Sequence, residues 1–340
     1  MKKYVGVDLH KKQFTVCWMD DKDERKVKIE EYPVSVEGYK KFSSKLSKEH
    51  EVAVEATGNS GYFCDKVRSK VKKVVAINPM QFKVISASVK KTDENDAITI
   101  ARYLRLGLLP EVRQMDKETR ALRSLINTRD KLVKLRSSLK NKIHNILNEN
   151  GIVSQREMFS SAVSFERLKA LDLSETAQFE ISVIVEQIRG LTKSVKEIEE
   201  RIKAISKNTP GHKNLTSITG IGDLSAAIIL NGIGDVKDFD DSSKLCAYVG
   251  LVPSVRNTGN TVSHGHITRR GNKIFRTTLV QVALIAIKYS SYLRKFYDKL
   301  KAKKGSGRAI IATARKMLEI IYRTLKNGWM FADFNNFVLE

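Results

Sequence analysis

Tyr4-Val5-Gly6-Val7-Asp8-Leu9 opens the chain with a short apolar run that holds a single acid. Such a run reads as a strand, and a turn at His10-Lys11-Lys12 separates it from a second one, Phe14 to Met19. Lys26 to Glu31 alternates as a third strand and stops at Pro33. Beyond it the pattern changes. Ser35 caps a helix through Leu46, Glu51 to Ala56 is a buried strand, and Tyr62 to Val71 is a helix. Val74 to Ile77 is a further strand, with Asn78-Pro79 as the next helix start. Three strands joined by tight turns predict an antiparallel meander, to which the later strands add in parallel through helical crossovers.

Three strands, helix, strand, helix, strand, helix is the element order of the α/β RNase H-like (RuvC-like) fold, here over residues 1–110. Lys91-Thr92-Asp93-Glu94-Asn95-Asp96-Ala97 opens a helix that runs through Ile98, Ile100, Ala101 and Leu104. Asp93 and Asp96, three apart, share a face of it. Two adjacent carboxylates repel unless a cation, a lysine or a divalent metal, lies between them. Asp8 and Glu55 are each an acid within an apolar strand, which is costly to bury without a partner. In an RNase H-like sheet the first and fourth strands are neighbours, so Asp8 and Glu55 fall side by side at their C-terminal ends. The helix of Asp93 and Asp96 packs over that edge. Singly, each acid has an ordinary reading: Asp8 as a turn cap, Glu55 as the partner of a lysine, Asp93 as an N-cap. As a set of four they predict a site for two hard divalent cations, magnesium being the usual one, about 4 Å apart.

The whole chain of 340 residues carries 61 Lys and Arg against 38 Asp and Glu, a formal net charge of +23. That excess calls for a polyanionic partner, with nucleic acid the leading candidate. No helix pairs a basic face with exposed aromatics, which argues against a membrane surface. No apolar run is long enough to span a bilayer, and the N-terminus lacks the apolar core of a signal peptide. Cys17, Cys64 and Cys246 are far apart and odd in number, so the reading is a reduced cytoplasmic protein, nucleoid-associated, without structural zinc.

Residues 111–209 read as a basic helical region. Between Arg113 and Lys142 there are ten basic residues and three acidic ones, alongside an apolar stripe of Leu122, Leu125, Leu132, Leu135, Leu139, Ile143 and Ile146. Asn150-Gly151 ends that helix. Ile181, Ile184, Ile188, Leu191, Val195, Ile198, Ile202 and Ile205 then repeat in steps of three and four. This heptad seam predicts a coiled coil, with the preceding helix, with a second copy of the chain or with both, while an ordinary core helix of a helical hairpin shows the same stripe. Residues 210–340 read as a compact, mostly α-helical domain. Its Ile218-Thr219-Gly220-Ile221-Gly222 matches the hairpin of a helix-hairpin-helix motif, in which Gly220 and Gly222 let backbone N–H groups approach a DNA phosphate. A plain tight turn accounts for the same glycines.

Val-Asp-Leu-His-Lys at 7–11, Val-Glu-Ala-Thr-Gly at 54–58 and Lys-Thr-Asp-Glu-Asn-Asp-Ala at 91–97 resemble the motifs of the DEDD insertion-sequence transposases of the "IS one-ten" type, related to the Piv invertases. Phe239 to Leu251 followed by Val252-Pro253-Ser254, then Gly265 to Asn272 and Arg276, resembles the second domain of that family. The resemblance covers essentially the whole chain. It implies a DNA recombinase with a composite site, in which a hydroxyl of the C-terminal domain attacks a DNA phosphate and becomes linked to it. The four acids and magnesium position the strand and polarise the phosphate. A structured guide RNA from the element's own end selects element and target DNA, and the working assembly is a homo-tetramer built partly through the coiled coil.

The family places a serine before a glycine in the loop after Gly-Leu-x-Pro, and here that position is Thr258 in Asn257-Thr258-Gly259. Threonine keeps the hydroxyl, while its methyl restricts rotamers and crowds attack. Ser254 and Ser263 lie nearby without matching the position. Arg256, Arg269, Arg270, Lys273 and Arg276 form a basic cluster around the loop suited to phosphate, and His264 and His266 are candidate general bases or acids. A junction resolvase working with the four acids alone, and a non-catalytic nucleic-acid scaffold, are the alternatives. The sugar-kinase and actin-like ATPases also begin with an Asp-bearing strand, but the later basic helices leave no place for their second phosphate loop and adenosine pocket.

Overall fold

A computed structural model describes residues 2–23, 25–79, 81–82, 92–155, 159, 165, 167–258 and 261–332; for residues 169, 256–258 and 261–264 the description is of the backbone alone. The chain divides into two compact units, residues 1–116 and 117–340.

The first unit is built on a mixed six-stranded sheet. Its strands are β1 (Lys3–Leu9), β2 (Gln13–Asp20), β3 (Val27–Pro33), β4 (His50–Glu55), β5 (Lys73–Ile77) and β6 (Glu111–Val112), in the order β3-β2-β1-β4-β5-β6. β1, β2 and β3 are an antiparallel meander, while β4 joins β1 and β5 joins β4 in parallel. Both additions agree with the sequence reading. The edge strand β6, antiparallel to β5, is too short to leave a periodic signal.

Strand alternation sorts the side chains into two cores. Val5, Val7, Leu9, Phe14, Val16, Val52 and Val54 pack on one face with Phe42 of α1 (Val36–Ser43) and Phe63 of α2 (Ser60–Val67). Ser35 caps α1, its hydroxyl accepting from the Gly38 N–H. Tyr4, Cys17, Ala53, Val75 and Ile77 line the other face under α3 (Asp93–Leu106), which supplies Ala97, Ile100, Ala101 and Leu104. Asp8 shares the parity of Tyr4 and Gly6, and Glu55 that of Ala53, so both acids belong to the α3 face.

Gly6 lets α3 lie directly on β1. A Cβ at Gly6 would stand 2.1 Å from the Ala97 carbonyl oxygen and 2.4 Å from the Ala101 nitrogen, so any side chain there pushes the helix off the sheet. Gly6→Val is expected to cost about 3 kcal/mol of stability, read as a lowered urea midpoint, and to abolish the site described below by displacing α3.

The second unit begins with two long helices, α4 (Lys117–Glu149) and α5 (Glu175–Ser206), that pack antiparallel within the chain. Ile143, Ile146 and Leu147 meet Ile181, Ile184, Val185 and Ile188 at one end, and Leu122 and Ile126 meet Ile202 at the other. The Arg129 guanidinium donates to Glu199 Oε1 at 2.6 and 2.8 Å across the pair. The isoleucine seam of α5 is thus covered by α4 of the same chain, as a helical hairpin, except at Ile205, which is exposed. The stripe expected on α4 is corrected at Leu135, which is exposed, while Ile126 and Leu147 are buried in its place. A straight 3.6-residue helix drifts off a seven-residue repeat over 33 residues, so the buried side rotates along its length.

The remaining helices are α6 (His212–Thr216), α7 (Asp223–Ile233), α8 (Ser242–Val249), α9 (Lys273–Tyr289), α10 (Ser291–Lys304) and α11 (Ser306–Asn327). Their core gathers Ile229, Leu245, Phe275, Leu279, Val282, Met317 and Ile321. Arg123 of α4 donates to the Asn231 carbonyl at 3.1 Å, and the Asn231 amide donates to the Thr119 carbonyl at 2.9 Å, tying the hairpin to α7. The stretch read as a polar loop is a β-hairpin, β7 (Pro253–Thr258) with β8 (Thr261–Ile267). Among the described residues, no helix is long and apolar enough to cross a membrane.

Candidate active site

Asp8 sits near the C-terminal end of β1 with its side chain 9% exposed. The parallel register pairs Val7 with Val54, which puts Glu55 level with Asp8 on the neighbouring strand. α3 brings the other two acids. Thr92, not Asp93, is its N-cap, accepting from the Asn95 N–H at 3.3 Å. This frees Asp93 for other contacts, and the positive end of the helix dipole favours the carboxylates of Asp93, Glu94 and Asp96 in its first turn. Asp96 lies on the buried side of α3, while the Asp93 side chain is 45% exposed.

The structure adds His10. Its Nε2 stands 3.0 Å from Asp8 Oδ2 and 3.3 Å from Asp93 Oδ1, so one imidazole nitrogen bridges two of the expected acids. Ligand atoms of Asp8, His10 and Asp93 all lie within 4.8 Å of one another. Glu55 and Asp96 are outside that trio, although the charge of Asp96 acts on Asp8. The sequence reading left His10 in a turn without a role. Its spacing of two from Asp8 at a strand end was the available signal, since alternate residues share a face. The Asn59 amide, itself accepting from the Thr57 hydroxyl at 2.9 Å, donates to the His10 carbonyl at 3.0 Å. The loop after Glu55 therefore holds the turn that carries His10.

Burial pushes the Asp8 carboxyl above its ordinary range; His10 opposes this by its charge and hydrogen bond, the Asp93 and Asp96 charges add to it, and the net shift is upward. Burial acts to lower the His10 value, but the carboxylates of Asp8 and Asp93 outweigh it and hold the imidazole above its usual 6.5. Both groups bind protons more tightly folded than unfolded. Their contribution to stability is full below the ordinary value of each and is lost as pH rises through the raised one. In metal-free buffer the urea midpoint is therefore expected to fall as pH rises from 6.5 upward, a decline diminished in His10→Asn. Hard carboxylate oxygens, one of them buried and electrostatically frustrated, beside an imidazole make a donor set that fits a divalent cation.

A second group of candidates surrounds the β-hairpin. Thr258 pairs with Thr261 at the end of the ladder, leaving Gly259-Asn260 between them outside the described residues. Both roots of the hairpin are clamped. Gly250 ends α8 at φ 79°, and a Cβ there would meet the Arg270 nitrogen at 2.8 Å, so the turn at 269–271 locks against the helix end. The Thr268 N–H donates to the Val252 carbonyl at 2.9 Å. Arg276 donates to the carbonyls of Val249 (3.0 Å) and Gly271, which commits much of its guanidinium to the fold. Arg269, Arg270 and Lys273 are exposed, with Arg269 in the left-handed region at φ 54°. The side chains of Arg256, Thr258, Ser263 and His264 lie outside the described residues, as does Lys91. Ser254 is engaged, donating to the His266 carbonyl at 3.2 Å.

Gly220 and Gly222 connect α6 to α7. Gly220 has φ 101°, and a Cβ on it would come within 3.3 Å of the α9 backbone, a packing reason for glycine. Gly222 is the N-cap of α7 and open to solvent on its Cβ side, but the first helical residue is Asp223. Its carboxylate, 3.5 Å from His212 Nε2, is repulsive to a phosphate approaching that helix end.

Comparison with known proteins places these two groups in family context. Residues 5–151 match a DEDD transposase family of the IS110 type, described as "Transposase", and residues 212–298 match "Transposase IS116/IS110/IS902 family". The transposase for insertion sequence element IS1111A of Coxiella burnetii is 27% identical over 337 residues, covering 95% of this chain and 89% of that protein. A probable family 20 transposase of Pseudomonas aeruginosa is 27% identical over 70% of this chain and 71% of its own length. The pilin gene-inverting protein of Moraxella bovis is 25% identical over 97% of this chain and 98% of its own length. The candidate acids fall in the first matched stretch and the hairpin with its cations in the second. With both domains present in this order, the chain belongs to the IS110 family of DNA transposases and recombinases.

Proposed function

We propose that this transposase cuts and rejoins DNA by phosphoryl transfer, with Asp8, Glu55, Asp93 and Asp96 as metal-binding acids and the Thr258 hydroxyl as nucleophile. The observation that carries the reading is the convergence of Asp8 and Asp93 on one point, 3.0 and 3.3 Å from the same nitrogen, across two elements distant in sequence. The strand order β3-β2-β1-β4-β5, with an acid at the end of β1, another at the end of β4 and two at the start of α3, supports an RNase H-like catalytic domain. Divalent cations held there, magnesium in this reading and two by analogy with such sites, supply Lewis acidity toward a phosphate oxygen.

The protein's own part is positioning and proton handling. The Thr258 oxygen loses its proton and forms a bond to phosphorus as the bond from phosphorus to one DNA oxygen breaks, that oxygen leaving as a hydroxyl. Reversal by a different DNA hydroxyl restores Thr258 and joins new partners, with no nucleotide consumed. A rigidly rooted β-hairpin suits a nucleophile that must be placed to within fractions of an ångström. Arg269, Arg270 and Lys273, exposed beside its roots, are the proposed backbone contacts, and Arg256, Arg276 and the Gly220–Gly222 connection are weaker candidates. His266 and His264 are proposed as proton carriers.

The polyanion partners in this reading are element and target DNA together with a structured guide RNA, for which the net charge of +23 is the support on the protein side. The seam of α5 is occupied by α4, so a homo-oligomer built through the helical hairpin would use its outer surface, where Phe179 is 69% exposed and Val183 is exposed one turn on.

Incubation of the protein with divalent metal, element-derived RNA and end-labelled DNA tests the reading. Rejoined products of new connectivity support it. Cleavage without rejoining indicates a resolvase, and salt-dependent binding without cleavage a scaffold. Arg270→Ala with Lys273→Ala is expected to weaken DNA binding and to lower the slope of log affinity against log salt by about 2.

A further inference from the structure

We propose that His10 is a direct ligand of the divalent cation at this site, which makes it a mixed nitrogen and carboxylate site that takes Mn2+ in preference to Mg2+. The inference rests on the proposed metal site of Asp8 and Asp93 and assigns to it a donor that the four-acid set lacks.

The geometry of a single atom carries it. His10 Nε2 faces Asp8 Oδ2 at 3.0 Å and Asp93 Oδ1 at 3.3 Å at once. With the ring protonated both separations are ion-pair contacts, and with it neutral the same nitrogen and two oxygens are free to face one cation. Three donor atoms at such spacings are what a shared central ion requires. Neighbouring ligands of an octahedral ion with bonds of about 2.1 Å stand about 3.0 Å apart. The three atoms are mutually within 4.8 Å, against about 4.2 Å across an octahedral ion with such bonds, so a small side-chain adjustment brings all three onto one ion.

The imidazole is also presented rather than stowed. Its side chain is 51% exposed, and its contact with Asp8 Oδ2 at 3.0 Å turns the ring toward the acids. The backbone sets it within reach. β1 directs Asp8 toward the α3 face, the residue two positions on follows the same parity, and the Asn59 amide grips the His10 carbonyl at 3.0 Å. A histidine whose main chain is anchored and whose ring converges with two carboxylates has the arrangement of a ligand.

The chemical consequence is metal choice. Magnesium takes oxygen donors and keeps its waters, gaining little from imidazole, whereas manganese accepts a borderline nitrogen readily. Replacing His10 should therefore weaken manganese binding while leaving magnesium nearly untouched.

The test uses the full chain, stripped of metal, with Mn2+ as the probe. Binding is followed by loss of the electron paramagnetic resonance signal of free aqueous Mn2+, and Mg2+ affinity by competition. The expected result is an affinity for Mn2+ reduced about tenfold in His10→Asn and His10→Ala, with Mg2+ affinity changed less than about twofold. Electron spin echo modulation from a nitrogen nucleus should accompany bound Mn2+ in the wild type and vanish in both variants. Asp8→Asn, which should lose binding of both ions, defines the site. Mn2+ bound in an Asp8-dependent manner with no nitrogen modulation, or an unchanged ratio of the two affinities in the His10 variants, would overturn the role of His10 and leave the carboxylate site standing. Absence of any Asp8-dependent binding in the wild type would overturn both.

Discussion

Asp8→Asn is expected to lower DNA cleavage and rejoining by about a thousandfold or more while the protein stays folded and, without metal, becomes no less stable. The two halves of this expectation have one cause. Asp8 is an acid with only 9% of its side chain exposed, raised in pKa by burial and by the charges of Asp93 and Asp96. In the metal-free chain its ionised form is therefore a burden on the fold, which an isosteric amide removes. In the proposed site the same carboxylate is the least replaceable donor for a cation, being the most buried of the four acids and fixed by a central strand. Loss of activity with a urea midpoint that holds or rises is the signature of a group kept for function at the expense of stability. A variant that is inactive because it is unfolded would show the opposite midpoint shift, and an active one would remove Asp8 from the chemistry.

Thr258→Ala should be as severe, and for a different reason. If the hydroxyl forms the bond to phosphorus, Ser254 does not replace it, being turned to the His266 carbonyl at the far end of the hairpin from the Thr258–Thr261 pair. A fall of about ten-thousandfold or more in recombination is expected, with DNA binding unchanged. Thr258→Ser is the informative companion. It keeps the oxygen and removes the methyl that restricts rotation about the Cα–Cβ bond, so activity within about tenfold of the parent, in either direction, is expected. Alanine and serine variants of equal activity would assign Thr258 to the turn alone.

Much of this site was legible in the chain because strands and helices have fixed periods. An apolar run with one acid at its end specifies which face that acid takes, so parity and element order brought Asp8 and Asp93 together, while Glu55 and Asp96, expected beside them, lie outside that converging group. His10 escaped because a residue just past a strand reads as a turn, although the strand period carried on to it; the Asn59 contact to its carbonyl, which holds that turn, is not a local signal. The β7–β8 hairpin escaped for a related reason. Pro253-Ser254-Val255-Arg256-Asn257-Thr258 lacks apolar alternation, and the cue in the sequence was the Gly259-Asn260 pair between two threonines. The seam of α5 is buried at Ile181, Ile184, Ile188, Val195 and Ile202 but exposed at Ile205, and a seam does not name its partner. The antiparallel pairing with α4 came from tertiary contacts such as Arg129 to Glu199 that no local pattern encodes.

The central claim is that one protein hydroxyl and one acidic cluster act in the same phosphoryl transfer. It is tested most directly by trapping the reaction with metal, RNA and DNA, denaturing, digesting and identifying the nucleotide-linked peptide by mass spectrometry. The predicted result is a single adduct on the peptide that contains Thr258, formed by the parent chain and absent from both Asp8→Asn and Thr258→Ala. Rejoined DNA with no adduct on any peptide, or an adduct on Thr258 that forms undiminished in Asp8→Asn, would contradict it.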